Sequence, residues 1–214
     1  MRHDIYNIPH KAHRWALFTA SIAIGRLNAG DVAAADALGN RVRQLLHHLH
    51  VHMRDEDQFI MPLYAKLGSV PERLEAGHRQ VEDLTRQIQA AIEDGAVRRA
   101  EADFYRLFNR LVGAYLAHTD EEETAQAELI WPNYSDEDIV AAQAEFITSR
   151  SPLSNLSDLA FILPSLNVAE ICAFLFDIKR DVAEEPFGMV VAVARKTLDS
   201  KVWSAVEARL AQWH

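Results

Sequence analysis

The sequence is poor in cysteine: Cys172 is the only one in 214 residues. An intramolecular disulfide is therefore impossible, and a metal site built on several thiolates is excluded. Long apolar runs are also missing, because no stretch approaches the roughly 18 residues that a membrane-spanning helix needs. The opening residues, Met-Arg-His-Asp, lead into no apolar segment typical of a secretion signal. We therefore expect a cytoplasmic protein with no membrane partner.

Positive charge is scarce as well. Lys and Arg number 22 against 31 Asp and Glu, which gives a net charge of −9. Nucleic acids attract basic surfaces, so we expect no nucleic-acid partner. The sequence also contains no phosphate-binding glycine loop and no Ser-His-Asp arrangement, and thus no hydrolase or transferase signature. Histidine, by contrast, is abundant, with ten residues.

Apolar periodicity predicts four long helices with short connections. Their predicted ranges are 9–27, 32–67, 71–93 and 97–129. Gly and Pro residues mark the turns, Asp31 is a predicted N-cap, and Pro62 predicts a kink or an early end of the second helix. Long amphipathic helices joined by short turns indicate an all-α fold, an up-down-up-down four-helix bundle.

Ionisable side chains interrupt the core-facing stripes of these helices. The second helix presents Leu38, Val42, Leu45, Leu49, His52, Glu56, Phe59 and Leu63. The fourth presents Phe104, Phe108, Leu111, Tyr115, His118, Glu122, Ala125 and Leu129. His78 lies on the stripe of the third helix, and His10 and His13 on that of the first. Burying such groups without partners costs on the order of 2–7 kcal/mol each. Metal binding would offset this cost.

The positions of these histidines along the helix axes indicate which of them can reach one common site. Counted from the first turn at 1.5 Å per residue, His10 and His52 lie within roughly 3 Å of one level, whereas His13 is off by roughly 7 Å.

Imidazole nitrogen combined with carboxylate oxygen suits iron or manganese better than calcium or structural zinc. The alternative is a polar core layer of two i,i+4 His–Glu hydrogen-bonded pairs, which seldom recruits all four helices of a bundle. His48, Glu121 and Glu123 are predicted to face the edge of the bundle or solvent.

The combined pattern resembles the hemerythrin-like (HHE) cation-binding family over about residues 5–135. It consists of His10-Lys11, His52-x-x-x-Glu56 followed by Asp57 and Phe59-x-x-Pro62, the isolated His78, and His118-x-x-x-Glu122 before Trp131-Pro132. The resemblance implies a bundle that holds a non-haem di-iron centre, two Fe ions with an oxo or hydroxo bridge. It implies His10, His52, His78 and His118 as terminal ligands and Glu56 and Glu122 as bridges.

One position departs from the oxygen-carrying members of that family. They place a second histidine one turn after the first on the third helix, where this sequence has Glu82. The departure disfavours reversible oxygen carriage and favours redox turnover. The sequence leaves open whether Glu82 or His13 also binds metal.

Residues 135–214 form a predicted C-terminal all-α extension to a bundle domain spanning 1–134. Helix caps are predicted at Ser135, Asn167 with Glu170, and Asp199, and the last helix is predicted to end near Trp213. No ligand cluster appears in this segment. The sequence does not decide whether it packs on the bundle, forms a homodimer interface or docks another partner.

Three functions fit a di-iron bundle. The first is redox handling or sensing of O2, NO or peroxide. The second is regulation by iron status, in which metal stabilises a partner-binding surface. A ferritin-like store or oxidase ranks last, because that family carries Glu-x-x-His at i,i+3 whereas this chain carries His-x-x-x-Glu at i,i+4.

Overall fold

The computed structural model describes residues 2–212, and within that range all regular structure is helical, with no strand. The helices are α1 (Asn7–Gly25), α2 (Val32–Asp55), α3 (Met61–Lys66), α4 (Glu72–Glu93), α5 (Ala102–Ala125), α6 (Trp131–Asn133), α7 (Asp136–Ser149), α8 (Pro152–Ile162), α9 (Val168–Asp181), α10 (Glu184–Thr197) and α11 (Ser200–Leu210). The predicted all-α class is confirmed. None of the helices described within 2–212 is both long and apolar enough to cross a membrane.

Four of these helices are long and surround one core. Helix α1 packs against α2 and α5, and α4 packs against α5 and α2. Asp31 caps α2 as predicted, because its side chain accepts a hydrogen bond from the Ala34 N–H. The turn before it contains Gly30 at φ +90°, a backbone conformation that favours glycine.

Two wide helical turns interrupt the second and fourth predicted helices. A π-helical turn, Glu56–Ile60, joins α2 to α3, and a second, Gln126–Ile130, joins α5 to α6. Each is followed by a proline in the first turn of the next helix, Pro62 or Pro132. A proline ring clashes with the carbonyl four residues earlier, and a wider turn relieves that clash. The expected kink at Pro62 therefore takes the form of a π turn.

A polar layer crosses the core between two apolar regions. Tyr6, the residue before α1, precedes the layer, and the fully buried Leu17 on α1 follows it. On α5, Leu111 precedes the layer and Ala125 follows it. We call the apolar region at the Tyr6 end the end cluster. It comprises Ile5, Tyr6, Ile60, Met61, Leu63, Tyr64, Leu74, Ala125, Ile130 and Ile139.

The chain divides into two compact units, Met1–Phe146 and Ile147–His214. The predicted boundary between residues 134 and 135 lies earlier, ahead of α7. That helix contributes Ile139 to the end cluster, and its Gln143 side chain hydrogen-bonds to the His3 ring at 2.7 Å. These contacts explain why most of α7 belongs to the first unit.

The second unit has an apolar core of its own. Its buried residues are Leu159, Leu163, Leu166, Ile171, Cys172, Leu175, Val190, Ala194, Trp203 and Val206. The predicted caps are present: Asn167 and Glu170 form a capping box, and Asp199 accepts from the Lys201 N–H. Helix α11 ends at Leu210, and Trp213, its predicted end, lies outside the described residues. Across residues 147–212 no group of potential metal ligands comes together.

Candidate metal centre

Six side chains from all four long helices converge in the polar layer. They are His10 from α1, His52 and Glu56 from α2 and the turn after it, His78 from α4, and His118 and Glu122 from α5, together called the His/Glu cluster. Five of the six residues are at most 6% exposed, and the His52 side chain is 13% exposed. Ligand atoms lie within 4.8 Å of one another in two groups, Glu56/His78/His118/Glu122 and His10/His52/Glu56. The structure thus brings together every residue in the predicted ligand set.

The two carboxylates divide their oxygens between two histidine pairs. Glu56 Oε1 lies 3.1 Å from His52 Nε2 and 3.7 Å from His10 Nε2, while its Oε2 lies 3.4 Å from His78 Nε2. Glu122 Oε2 lies 3.3 Å from His10 Nε2, while its Oε1 lies 3.1 Å from His118 Nε2 and 3.4 Å from His78 Nε2. Each carboxylate therefore faces both pairs, an arrangement suited to bridging two cations.

These short approaches are not hydrogen bonds. All four Nε2 atoms and all four carboxylate oxygens of the cluster are buried without a hydrogen-bond partner. An unsatisfied buried polar group costs roughly 1–3 kcal/mol. The i,i+4 hydrogen bonds expected of a simple polar layer are thus not formed in either His–Glu pair. A bound cation would use the lone pairs of all eight atoms, so the donor set fits a metal pair.

Electrostatics set the protonation of the metal-free cluster. Burial disfavours protonation of His10, but the carboxylates of Glu122, Glu123 and Glu56 outweigh it and raise the His10 pKa to about 10. For His78, burial is likewise outweighed by Glu122 and Glu56, and its pKa rises to about 10. Burial alone would raise the pKa of Glu122, but the surrounding histidines hold that pKa well below its usual value. A metal must therefore displace protons when it binds at neutral pH.

Two further carboxylates orient the histidine rings from outside the cluster. His10 Nδ1 donates to Glu123 Oε1 at 2.9 Å, and His78 Nδ1 donates to Asp57 Oδ1 at 3.0 Å. Arg14 holds the Glu123 carboxylate in place at 2.8 Å. A proton on Nδ1 directs Nε2 toward the cluster as the ligand atom. Glu123, predicted to face solvent, is 37% exposed at its side chain, but it also reaches back to His10.

We expect Glu123→Ala to weaken metal binding about 10- to 100-fold, the usual cost of losing a partner that orients a ligand histidine. Competition with a chelator of known affinity measures the effect. Glu121→Ala, two residues away on α5, is the matched control and should bind metal like the native protein. Equal affinities in the two variants would show that the bond from His10 to Glu123 does not support the site.

Gly77 is a site residue that sequence reasoning missed. A Cβ atom at this position would overlap His118 Nδ1 and lie 2.8 Å from His118 Cγ. Only glycine on α4 therefore lets the His118 ring cross from α5 into the cluster. The available signal was a glycine inside a predicted helix, beside His78, where glycine lowers helix stability.

Gly77→Ala should displace His118 and lower metal content, although alanine favours a helix over glycine by up to about 1 kcal/mol. Gly113→Ala on α5 is the matched control, because no atom lies within 4 Å of the Cβ it would add. That control should keep its metal and melt at the native temperature or above. Metal analysis and thermal unfolding check both variants; full metal content in Gly77→Ala would contradict this account of the close approach.

Both residues that the sequence left open lie outside the two ligand groups. His13 is buried and stacks on His52 with ring centroids 4.6 Å apart, and its Nδ1 donates to Pro9 O at 2.8 Å. Burial, followed by the charge of His10, lowers the His13 pKa to about 3, so its ring is neutral. Glu82 is exposed on α4.

Comparison with known proteins gives one family. Residues 4–130 match the family model of the hemerythrin HHE cation-binding domain. That segment contains all six residues of the His/Glu cluster. No curated protein and no solved structure matches the chain significantly.

Proposed function

Since the chain belongs to the hemerythrin HHE cation-binding family, we propose that its His/Glu cluster holds two iron ions, bridged by oxo or hydroxo, in an up-down-up-down four-helix bundle. The short connections 26–31, 67–71 and 94–101 between long neighbouring helices support that topology. Mixed nitrogen and oxygen ligands support iron over calcium, and the scarcity of cysteine disfavours structural zinc.

The main support for the proposal is the even division of eight buried atoms, four histidine Nε2 atoms and four carboxylate oxygens, none of which has a hydrogen-bond partner. His10 and His52 face Glu56 Oε1 and Glu122 Oε2, and His78 and His118 face Glu56 Oε2 and Glu122 Oε1. The set thus serves two equivalent cation positions with two nitrogens and two oxygens each. An iron ion held by four such donors could accept a small molecule as a further ligand.

We propose that the centre handles or senses O2, NO or peroxide by redox chemistry. The iron pair would supply electron transfer when bound. The chain's own residues orient the ligands through Glu123 and Asp57, and buried apolar residues such as Met53, next to His52, exclude bulk water. The exposed glutamate at position 82, in place of a further histidine ligand, supports turnover rather than reversible oxygen carriage.

This proposal is tested by loading the protein with ferrous iron anaerobically and then mixing it with O2, NO or hydrogen peroxide. Ferrous-loaded protein should consume O2, NO or hydrogen peroxide faster than the same amount of iron mixed with Glu56→Ala protein, which lacks a bridging carboxylate. Gas electrodes and optical spectra follow the reaction. If iron-loaded native protein consumes none of the three faster than that control, the redox proposal is wrong.

A second candidate function is regulation by iron status. It is supported by the second unit, which has its own apolar core and no ligand group within residues 147–212. This unit would then provide a surface for a partner or for a second copy of the chain. The candidate predicts that iron changes self-association or partner binding of the full chain, measurable by analytical ultracentrifugation with and without iron. Iron-independent association would count against it.

A further inference from the structure

One amide side chain is buried at the end of the bundle, where an apolar residue would be expected. Gln126 is the first residue of the second π turn, one helical turn after Glu122, and is 1% exposed. Burying an amide is unfavourable unless its hydrogen bonds are made, and leucine would fill a similar space without that requirement. The hydrogen bonds of this amide therefore indicate its role.

Both hydrogen bonds of the Gln126 side chain go to the segment before α1. Its Oε1 accepts from the Ile5 N–H at 2.9 Å, and its Nε2 donates to Asp4 Oδ1 at 3.0 Å. The same Asp4 oxygen accepts from the N–H groups of Tyr6 and Asn7, at 3.0 and 3.1 Å, where α1 begins. Gln126 thus anchors the start of α1 to the π turn that follows α5.

Further along the two helices, side-chain hydrogen bonds continue the same alignment. Two of them, each 2.8 Å long, join α1 to α5: Arg14 to Thr119 Oγ1 and Ser21 to Asn109 Oδ1. Together with the contacts of Gln126, they follow one another in order along both helices. His10 lies between the Gln126 contacts and the first of these bonds, and its Nε2 is 3.3 Å from Glu122 Oε2. The height of His10 in the cluster therefore depends on the anchor at Gln126.

The two cation positions have the same donor types but depend on α1 differently. The position served by His78 and His118 takes its nitrogens from α4 and α5, whereas the position served by His10 and His52 takes one nitrogen from α1. Ligand distances in metal sites hold to within about 0.2 Å, and one residue along a helix rises about 1.5 Å. A small slip of α1 would therefore take His10 out of ligand range and leave the other pair of histidines in place.

We propose that Gln126 is a positioning residue that sets the height of His10 in the His/Glu cluster. It acts through the two residues that it binds, Asp4 and Ile5, and not as a ligand. The inference rests on the proposed metal function. It adds that one of the two cation positions, the one that includes His10, depends on this anchor while the other does not.

Stepwise affinities of the full chain for ferrous iron test the inference, measured anaerobically by competition with a chelator of known affinity. Gln126→Ala should keep one ion at near-native affinity and bind the other about tenfold or more weakly, because nothing then holds the Ile5 N–H. Asp4→Ala removes the other side of the contact at an exposed residue. It should show the same split even if Gln126→Ala does not fold.

Two control variants separate positioning from a general effect on folding. Asp4→Asn keeps an acceptor oxygen and should bind both ions with native affinity. Tyr134→Phe should melt lower, because the Tyr134 hydroxyl donates to Leu63 O at 2.8 Å, but should keep both iron affinities. In the metal-free protein, hydrogen exchange in the first turn of α1 should become faster in Gln126→Ala and stay native in Tyr134→Phe.

The outcomes distinguish this inference from the function beneath it. Native affinity at both positions in Gln126→Ala and Asp4→Ala would overturn the inference and leave the metal proposal intact. Equal weakening of both positions would also overturn it, because Gln126 would then support the fold as a whole. Asp4→Asn that binds as poorly as Asp4→Ala would do the same, since the loss would follow the charge and not the hydrogen bond. A native chain that takes up no iron would overturn both proposals.

Discussion

Glu56→Ala and Glu122→Ala should each abolish stable iron binding, whereas Glu121→Ala and His48→Ala should leave it at the native level. Each of the first two substitutions removes two of the eight ligand atoms, one facing each histidine pair. Loss of a bridge thus weakens both cation positions at once. Elemental analysis after iron loading and desalting measures the difference, which we expect to be nearly complete.

The control residues flank the cluster without joining it. Glu121 precedes Glu122 on α5, and His48 is half-buried on α2, one turn before His52. Both lie outside the two ligand groups. Equal loss of iron in all four variants would mean that the helical register assigned to α2 and α5 is wrong.

Ferrous iron should raise the melting temperature of the full chain strongly and in a concentration-dependent way. A ligand that binds only the native state stabilises it by about 4 kcal/mol at a thousandfold excess over its Kd. The metal also satisfies eight buried atoms that have no hydrogen-bond partner in the metal-free protein. Calorimetry under anaerobic, reducing conditions measures the shift.

Hydrogen exchange locates this stabilisation. Residues 45–60 and 110–125, which contain four members of the His/Glu cluster, should gain more protection with iron than residues 147–212, which contain none. Magnesium at the same concentration is the control cation, because it prefers all-oxygen sites. If iron changes neither melting nor exchange, the six residues form an ordinary polar network in an all-α interaction protein.

The six residues of the His/Glu cluster could be predicted from the sequence to converge, because helical periodicity identifies which face of each helix is buried. Steps of three and four placed His52 and Glu56 on one stripe and His118 and Glu122 on another, and these stripes meet in the structure. Counting from the first turn also favoured His10 over His13, and His13 lies outside the ligand groups. Whether the six residues bind metal stays a prediction.

The same counting was wrong at one position after each ligand pair, although Leu63 and Ala125 are buried as predicted. It placed Phe59 and Leu129 on the core stripes, but both are only half-buried, while Ile60 is 5% and Ile130 0% exposed. The cause is the π turn that follows each pair, since a π turn takes up one extra residue and shifts the helical register locally, so that Ile60 and Ile130 face the core instead. Periodicity assumes uniform α-helix and cannot anticipate that shift.

Other features of the site depend on individual atomic contacts rather than on which face of a helix is buried. The bond from His10 to Glu123 and the overlap that only Gly77 avoids arise where a side chain of one helix meets another helix. Tyr115 was on the predicted stripe, yet a stripe does not reveal that its hydroxyl lacks a partner. A sequence pattern gives the direction of a side chain, and the packed structure gives its contacts.

The most direct test of the central claim is the metal content of the purified full chain after expression with supplemental iron, measured by inductively coupled plasma mass spectrometry. The division of eight ligand atoms between two positions predicts about two irons per chain, with the near-ultraviolet absorption of a bridged ferric pair. One zinc per chain, or no metal, would contradict it.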